Sequence, residues 1–239
     1  MMKKRTIVVT VSALLLASQL PVISALPLVS AFNNTAFAAT ASASTIQATL
    51  SSGSSSAEVA SLQQQLGTLG YFTYPSNTGY YGPLTVQAVS SYQEAYGLPV
   101  TGAADSATRT SISHAIVKKQ LLAAANEYLG TPYDWGGTSP STGFDCSGFV
   151  YYMFTKLGVP ADRLSSGELF QQGTPVDRAD LMPGDLVFFS TNTPGKVNHV
   201  GFYIGNGKFI SSTRSAGIAV QPIDSGYWGP RYLGAKQVY

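Results

Sequence analysis

A cysteine and a histidine are the residues of this chain best suited to covalent chemistry. Cys146 is the single cysteine of the sequence. The apolar positions after it, 149, 150, 153, 154 and 157, have helical spacing and end at Gly158. We therefore predict that the thiol lies in the first turn of a helix, with Asp145 at the N-cap. The free N–H groups and partial positive charge of a helix N-terminus favour thiolate over thiol and stabilise a nearby oxyanion. The alternative is a buried, inert thiol, since free cysteine is among the most buried residue types.

His199 is the better of two candidate partners for a nucleophilic cysteine, which needs an imidazole within hydrogen-bond reach. The other histidine, His114, lies where two modules of the sequence meet, and we interpret it as a solvated residue at a helix end. The stretch 199–204 alternates like a half-buried strand, with positions 200, 202 and 204 toward the core. His199 then shares the opposite face with Gly201, whose missing side chain leaves room for another chain to approach.

A predicted β-hairpin places hydroxyl groups beside His199. The turn 205–207 joins the strands 199–204 and 208–213, and a three-residue loop pairs Ile204 with Lys208. His199 then faces Thr213 directly, and Ser211 lies diagonally on the same face. Either hydroxyl could accept the imidazole N–H and fix its tautomer. A purely structural His199 is the alternative.

The composition excludes several other kinds of protein. The 239 residues include 14 Lys and Arg and 12 Asp and Glu, for a net charge of +2. Three of the positive charges lie at positions 3–5, and without another basic cluster the chain lacks the electrostatic footprint of a nucleic-acid-binding protein. One cysteine and two distant histidines leave no internal disulfide and no metal-ligand cluster. We therefore expect no nucleic-acid partner, no metal and no cofactor.

The N-terminal segment has the pattern of an export signal. Lys3, Lys4 and Arg5 precede an apolar stretch over 6–17, and small residues follow up to position 38. This order predicts a secretory signal peptide over residues 1–38. An uncleaved anchor helix is disfavoured because Pro21 interrupts the run before the roughly 20 residues that a membrane span needs. Residues 39–56 are rich in Ser and Thr and are predicted to be a flexible linker. We expect no membrane span after cleavage.

Residues 57–113 form a first predicted module of three small helices. Val59, Leu62 and Leu66 follow helical spacing, Pro83 opens a second helix, and Asp105 caps a short third helix. The module resembles the type 1 peptidoglycan-binding domain at Leu62-Gln63, 69–72, 78–82, Thr85, Ala88-Val89, Tyr92-Gln93, 97–102, Asp105 and Thr108. The resemblance implies a non-catalytic unit that binds the cell wall. Its aromatic loop could stack on a sugar or stem peptide, or could serve packing alone.

Residues 116–239 form a second module that carries four motifs in order. They are Gly-Thr-Pro-Tyr at 130–133 with Gly136-Gly137, Asp-Cys-Ser-Gly-Phe-Val at 145–150, Pro-Gly-Asp-Leu-Val-Phe-Phe at 183–189, and the stretch 199–210. In these motifs the module resembles the NlpC-type cell-wall cysteine peptidases, a papain-like family. The resemblance implies an α+β fold: a papain-like catalytic domain, with helices packed on an antiparallel sheet, preceded by a small three-helix all-α domain.

The resemblance also implies roles for individual residues. Cys146 would be the nucleophile and His199 the general base. The third catalytic position, commonly His in the family, falls on Ser211, whose hydroxyl orients an imidazole but stabilises an imidazolium less. The residues that would contact substrate are Tyr133, near the oxyanion, and Asp145 and Ser147, which would line the stem-peptide pocket and hold the free amine.

These features together predict a secreted, wall-associated cysteine endopeptidase that acts as a monomer on peptidoglycan. The resemblance implies that the bond cleaved joins γ-linked D-Glu to the diamino acid of the stem peptide, and that diamino acid is either diaminopimelate or Lys. One alternative is an inactive wall-binding or adhesion protein, to which the serine at position 211 lends support. Another is an amidase or acyltransferase of the same fold. A glycosidase is disfavoured because no paired carboxylates stand out.

Overall fold

The computed structural model describes residues 48–239. The predicted signal peptide, residues 1–38, and the predicted linker up to residue 47 lie outside the described residues. The helices are α1 (Ala57–Leu69), α2 (Pro83–Ala95), α3 (Ser106–Ala125), α4 (Cys146–Lys156) and α5 (Ser166–Phe170). The strands are β1 (Thr138–Ser139), β2 (Gly143–Phe144), β3 (Thr174–Val176), β4 (Leu186–Phe189), β5 (His199–Gly205), β6 (Lys208–Thr213), β7 (Gly217–Pro222) and β8 (Tyr232–Gln237). Within 48–239, no helix is both long and apolar enough to cross a membrane.

The first domain is built from α1, α2 and the first half of α3. The hydroxyl of Ser56 accepts the N–H of Val59 and caps α1, while Pro83 stands in the first turn of α2. The carboxylate of Asp105 accepts the N–H of Thr108 at 2.7 Å and caps α3. The apolar faces of the three helices pack together. Their shared core includes Val59, Leu62, Leu66, Val89, Tyr92 and Ile112.

The last residues of the predicted linker belong to this domain. Leu50 is buried and exchanges backbone hydrogen bonds of 3.1 and 2.8 Å with Ala104. The N–H of Gly53 donates to the carbonyl of Tyr81, whose own N–H donates to Ser54. The linker predicted over 39–56 therefore ends before Leu50, because the backbone from here on is paired with the domain. Ser-rich composition does not reveal such pairing.

Helix α3 runs without a break through the predicted boundary between the modules. It has 20 residues, whereas the sequence predicted a short third helix inside a first module that ends at residue 113. Its first half packs into the core of the first domain through Ile112, and its second half packs into the core of the second domain through Leu121. The interpretation of His114 as a solvated helix end is wrong. The residue lies mid-helix, partly buried, with its ring stacked on Tyr239 at a centroid distance of 4.1 Å.

The second domain is a six-stranded antiparallel sheet in the order β3-β8-β4-β5-β6-β7, with helices against it. Helix α4 packs on one face through Phe149 and Met153, against Val200 and Phe202 of β5. The opposite face carries a second buried cluster of Val187, Phe189, Phe209, Ile223, Trp228 and Ala235. This architecture confirms the predicted α+β class, a mixed helix and antiparallel-sheet domain after a helical one.

The hairpin of β5 and β6 follows the predicted register away from its tip. Phe202 pairs with Ile210 and Tyr203 with Phe209, as expected. The predicted pairing of Ile204 with Lys208 is wrong, because the register shifts there and Gly205 pairs with Lys208. The loop is a two-residue turn at 206–207 in which both residues have positive φ, a conformation that suits an Asn-Gly turn.

Candidate active site

Cys146 is the first residue of α4, at the point where the helix meets a glycine loop. The carboxylate of Asp145 caps the helix by accepting the N–H of Gly148 at 2.6 Å. The N–H of Asp145 donates to the carbonyl of Gly137 at 3.1 Å. A Cβ added to Gly148 would lie 2.0 Å from that carbonyl oxygen, so only glycine lets the helix start lie this close to the loop. The local sequence therefore fixes the position of the thiol.

His199 lies at the start of β5 and is held by a serine of β6. Its Nε2 atom lies 2.9 Å from the Oγ atom of Ser211, and both residues are buried. The hydroxyl of Thr213 instead donates to the carbonyl of Gly217 at 3.0 Å, within its own turn. Ser211 is therefore the hydroxyl in contact with the imidazole. A Cβ at Gly201 would lie 2.8 Å from the Cβ of Ser211, so this glycine allows the two strands their close approach.

The thiol and the imidazole line the same cavity of about 1030 Å³. Of the residues singled out from the sequence, Tyr133, Asp145, Cys146, Ser147, His199 and Thr213 line this cavity. Ser211 lies behind the imidazole, while His114 belongs to a different cleft of the molecule. The cavity thus brings together nearly all of the predicted site residues. Within residues 48–239, no group of three or more His, Cys, Asp and Glu side chains is arranged to hold a metal ion.

Burial keeps the two reactive groups neutral. Desolvation raises the pKa of Cys146 to about 11, against smaller lowering effects from backbone N–H groups, chiefly that of Val200. Desolvation lowers the pKa of His199 to about 3. The sequence predicted that the helix N-terminus would favour thiolate. In the folded domain the cost of burying a thiolate exceeds the stabilisation that the helix N-terminus provides. Without substrate, Cys146 is therefore a thiol and His199 a neutral imidazole near pH 7.

Tyr133 lies beside the thiol and keeps its proton. Burial raises the pKa of its phenol, while a hydrogen bond from Arg214 lowers it. The guanidinium of Arg214 lies 5.6 Å from the ring centre of Tyr133 and 5.7 Å from that of Trp135. Trp135 is 78% exposed although it lines the cavity. The rim thus offers a phenol donor, a cation and an open aromatic face.

Arg163 is a cavity residue that the sequence analysis missed. Its Nη2 atom donates to Asp145 Oδ2 at 2.6 Å, and its Nη1 atom donates to the hydroxyl of Ser147 at 2.8 Å. It lies in the segment between α4 and α5, outside any periodic pattern. Nothing in the spacing of the sequence connects it to residues 16 and 18 positions earlier.

The family comparisons match the two domains separately. The NlpC/P60 family matches residues 130–237, and a peptidoglycan binding domain family matches residues 55–112. Residues 130–237 include the cavity residues of both the helix and the hairpin. The first match begins at residue 130, just after the end of α3, and the second ends at residue 112, within α3.

Three curated relatives are each similar to about half of this chain. Murein DD-endopeptidase MepH of Escherichia coli (strain K12) is 41% identical over 56% of this chain and 52% of its own. Gamma-DL-glutamyl hydrolase of Bacillus subtilis (strain 168) is 34% identical, over 55% and 32%. Probable peptidoglycan endopeptidase LytE of the same strain is 42% identical, over 49% and 34%. The chain thus matches about a third to a half of each relative's length.

The sequence motifs, the sheet with α4 packed on it, and the matched ranges agree with one another. The helical first domain likewise coincides with its matched range. The chain therefore carries an N-terminal peptidoglycan-binding domain followed by a domain that belongs to the NlpC/P60 family.

Proposed function

We propose that this protein is a peptidoglycan hydrolase, a cysteine endopeptidase that cleaves the stem peptides of the wall. The observation that carries the proposal is the cavity shared by Cys146 and His199, with Ser211 behind the imidazole. A thiol, a base and an orienting group in this order are what nucleophilic catalysis on a carbonyl requires. The names of the three relatives, two endopeptidases and a glutamyl hydrolase, support the same reaction class.

The geometry supports a definite division of roles. We assign the tautomer in which the Nε2–H of His199 donates to the hydroxyl of Ser211, 2.9 Å away, because it leaves Nδ1 free to take the proton of Cys146. Because burial disfavours either charge alone, proton transfer and attack on the carbonyl carbon are coupled. The oxyanion accepts hydrogen bonds from N–H groups at the start of α4 and from the phenol of Tyr133.

Collapse of the tetrahedral adduct completes the first half of the reaction. The C–N bond breaks, and the leaving amine takes the proton from His199. Water, deprotonated by the same imidazole, then attacks the thioester. The acid product leaves, and the thiol of Cys146 is restored.

For the bond cleaved, we propose the one between γ-linked D-Glu and the diamino acid, which is diaminopimelate or Lys. The name of the gamma-DL-glutamyl hydrolase supports this bond. The name of the murein DD-endopeptidase points to a different linkage, so a DD cross-link is the competing substrate. The two bonds release different fragments and are separable by mass.

The remaining parts of the chain fit a role outside the cell. We propose that residues 1–38 direct export and that the first domain holds the enzyme on peptidoglycan. We also propose that the enzyme acts as a monomer. The homologous peptidoglycan-binding domain supports the wall as the partner.

The deciding experiment is digestion of purified muropeptides by residues 39–239, with products read by mass spectrometry. We expect cleavage next to D-Glu that is lost in Cys146→Ala and kept in His114→Ala, a control outside the cavity. Fragments cut at a DD cross-link would contradict the proposed bond, and stems released whole from the sugar would indicate an amidase. Absence of any product, with binding to sacculi intact, would leave a wall-binding protein without peptidase activity.

A further inference from the structure

Asp145 has no acceptor position left for a substrate amine. A carboxylate offers about four lone-pair sites. Oδ1 accepts from the N–H of Gly148 at 2.6 Å and the hydroxyl of Ser147 at 3.3 Å. Oδ2 accepts from the N–H of Gly136 at 2.9 Å and from Arg163 at 2.6 Å. All four sites are occupied by the protein's own donors.

Ser147 is committed in the same way. Its hydroxyl hydrogen is directed at Asp145, and its oxygen accepts from Arg163 at 2.8 Å. The two residues that would hold a free amine by family resemblance are therefore tied to a guanidinium. An ammonium ion placed there would displace these bonds and meet a cation.

The charge of the whole cavity points the same way. Its charged lining residues are one anion, Asp145, and two cations, Arg163 and Arg214, while His199 is neutral near pH 7. Two positive charges against one negative leave a net charge of +1. A cavity of this sign disfavours an ammonium group and favours carbonyl and carboxylate oxygens.

Arg163 keeps donors available for such oxygens. Its guanidinium has five N–H donors, and within residues 48–239 three are used, by Asp145, Ser147 and the carbonyl of Leu164. The side chain is 30% exposed and lines the cavity. The remaining N–H groups are thus held on a rigid, doubly anchored fork at the substrate pocket.

We propose that Arg163 is a specificity-determining residue that turns this pocket into a site for an acylated N-terminus. The substrate is then a stem peptide whose first nitrogen is part of an amide, as it is when the stem is joined to the glycan. Arg163 donates to the carbonyl oxygen of that amide. The inference rests on the proposed peptidase function and names the form of stem peptide that the enzyme selects.

The test compares two synthetic stem peptides that are identical except at the N-terminus, one acetylated and one with a free amine. Both are assayed at pH 7 with the wild-type protein. We expect kcat/KM for the acetylated peptide to be higher by about tenfold or more. A preference of that size for the free amine, or equal rates on both, would overturn the proposal. Cleavage of neither peptide, nor of muropeptides, would instead count against the peptidase function itself.

Variants at position 163 test whether this residue sets the preference. Arg163→Met keeps the length of the side chain but leaves the Asp145 carboxylate uncompensated, so the preference should shift toward the free amine by about tenfold. Arg163→Lys keeps the charge and should retain the wild-type preference. The matched control is Arg178→Met, since Arg178 stacks on Tyr232 away from the cavity.

Folding is checked by near-ultraviolet circular dichroism. A folded Arg163→Met protein with an unchanged ratio of the two rates would overturn the assignment to Arg163. If Arg163→Met does not fold, the ratio of kcat/KM for the acetylated and free-amine peptides, measured in the wild-type protein and in Arg163→Lys, still tests the proposal. A free-amine preference in Arg163→Lys would show that positive charge does not set the selectivity.

Discussion

Ser211 is the residue through which the fold orients His199. It is fully buried, and its Oγ atom lies 2.9 Å from Nε2 of the imidazole. We predict that Ser211→Ala lowers kcat by about tenfold or more, because the imidazole loses the partner that fixes its tautomer and ring orientation. Rates on muropeptides across a range of pH measure the effect.

The neighbouring serine provides a matched control for this variant. The hydroxyl of Ser212 is also fully buried and donates to the carbonyl of Phe144 at 2.6 Å, away from the imidazole. Ser212→Ala should cost about 0.5–1.5 kcal/mol of stability, because it removes one hydrogen bond from that carbonyl, which still accepts the N–H of Asp134. The pH below which the rate falls, which reports protonation of the catalytic base, should be unchanged in Ser212→Ala. Equal kcat losses in both variants would mean that Ser211 contributes only to stability.

Residue types and spacing predicted the reactive pair but not its surroundings. Cys146 and His199 could be identified because a helical stripe of apolar residues begins just after Cys146 and an alternating strand begins at His199. The choice between Ser211 and Thr213 could not be made from the register, which is as predicted away from the tip of the hairpin, because the hydroxyl of Thr213 is engaged by the carbonyl of Gly217 instead. Arg163 reaches Asp145 from a non-periodic segment, and such a contact exists only in the folded chain.

Helix α3 is attached to the catalytic sheet by a buried ion pair. Nζ of Lys118 lies 3.0 Å from Oδ1 of Asp185, and the two side chains are only 9% and 3% exposed. A Cβ at Gly184 would lie 2.7 Å from the Lys118 side chain, so the turn before β4 closes tightly over it. The aliphatic stem of the lysine thus packs beneath the turn, and its charge is satisfied inside the protein.

We predict that Lys118→Met destabilises the protein by about 3–5 kcal/mol, because it leaves a buried carboxylate without its counter-ion. Asp185 also accepts the N–H of Met182 at 2.9 Å, a bond that asparagine can keep. The double variant Lys118→Met with Asp185→Asn should therefore be more stable than Lys118→Met alone. Urea unfolding measures both. A cost below about 1 kcal/mol for Lys118→Met would contradict a structural role for the pair.

The sequence permits α3 to be one continuous helix, but the pattern of its apolar residues does not predict this. No glycine or proline occurs between residues 103 and 129, which permits one long helix. The apolar stripe changes, however, because residues 108, 112 and 115 face the first core, whereas 121 and 125 face the second. A helix that packs into two cores has two partial apolar stripes, so its full length cannot be predicted from a single stripe.

The two domains share one helix, so the cavity that holds Cys146 and His199 has a fixed position relative to the first domain. The first domain ends in α3, and α3 is joined to the sheet through Lys118 and the stacking of His114 on Tyr239. A wall-binding unit attached in this way would raise the concentration of stem peptides at the cavity without contacting them. Its contribution should therefore depend on whether the substrate belongs to intact wall.

We predict different outcomes on two substrates when α1 and α2 are removed and residues 104–239 are kept. On soluble muropeptides, kcat/KM should stay within about twofold of the longer protein, because every cavity residue remains. On insoluble sacculi, release of peptide should fall by about tenfold or more, because the tether is lost. An equal fall on both substrates would mean that α1 and α2 support the active site through Ile112 and its neighbours in the first core. Unchanged rates on both would mean that the first domain does not hold the enzyme on the wall.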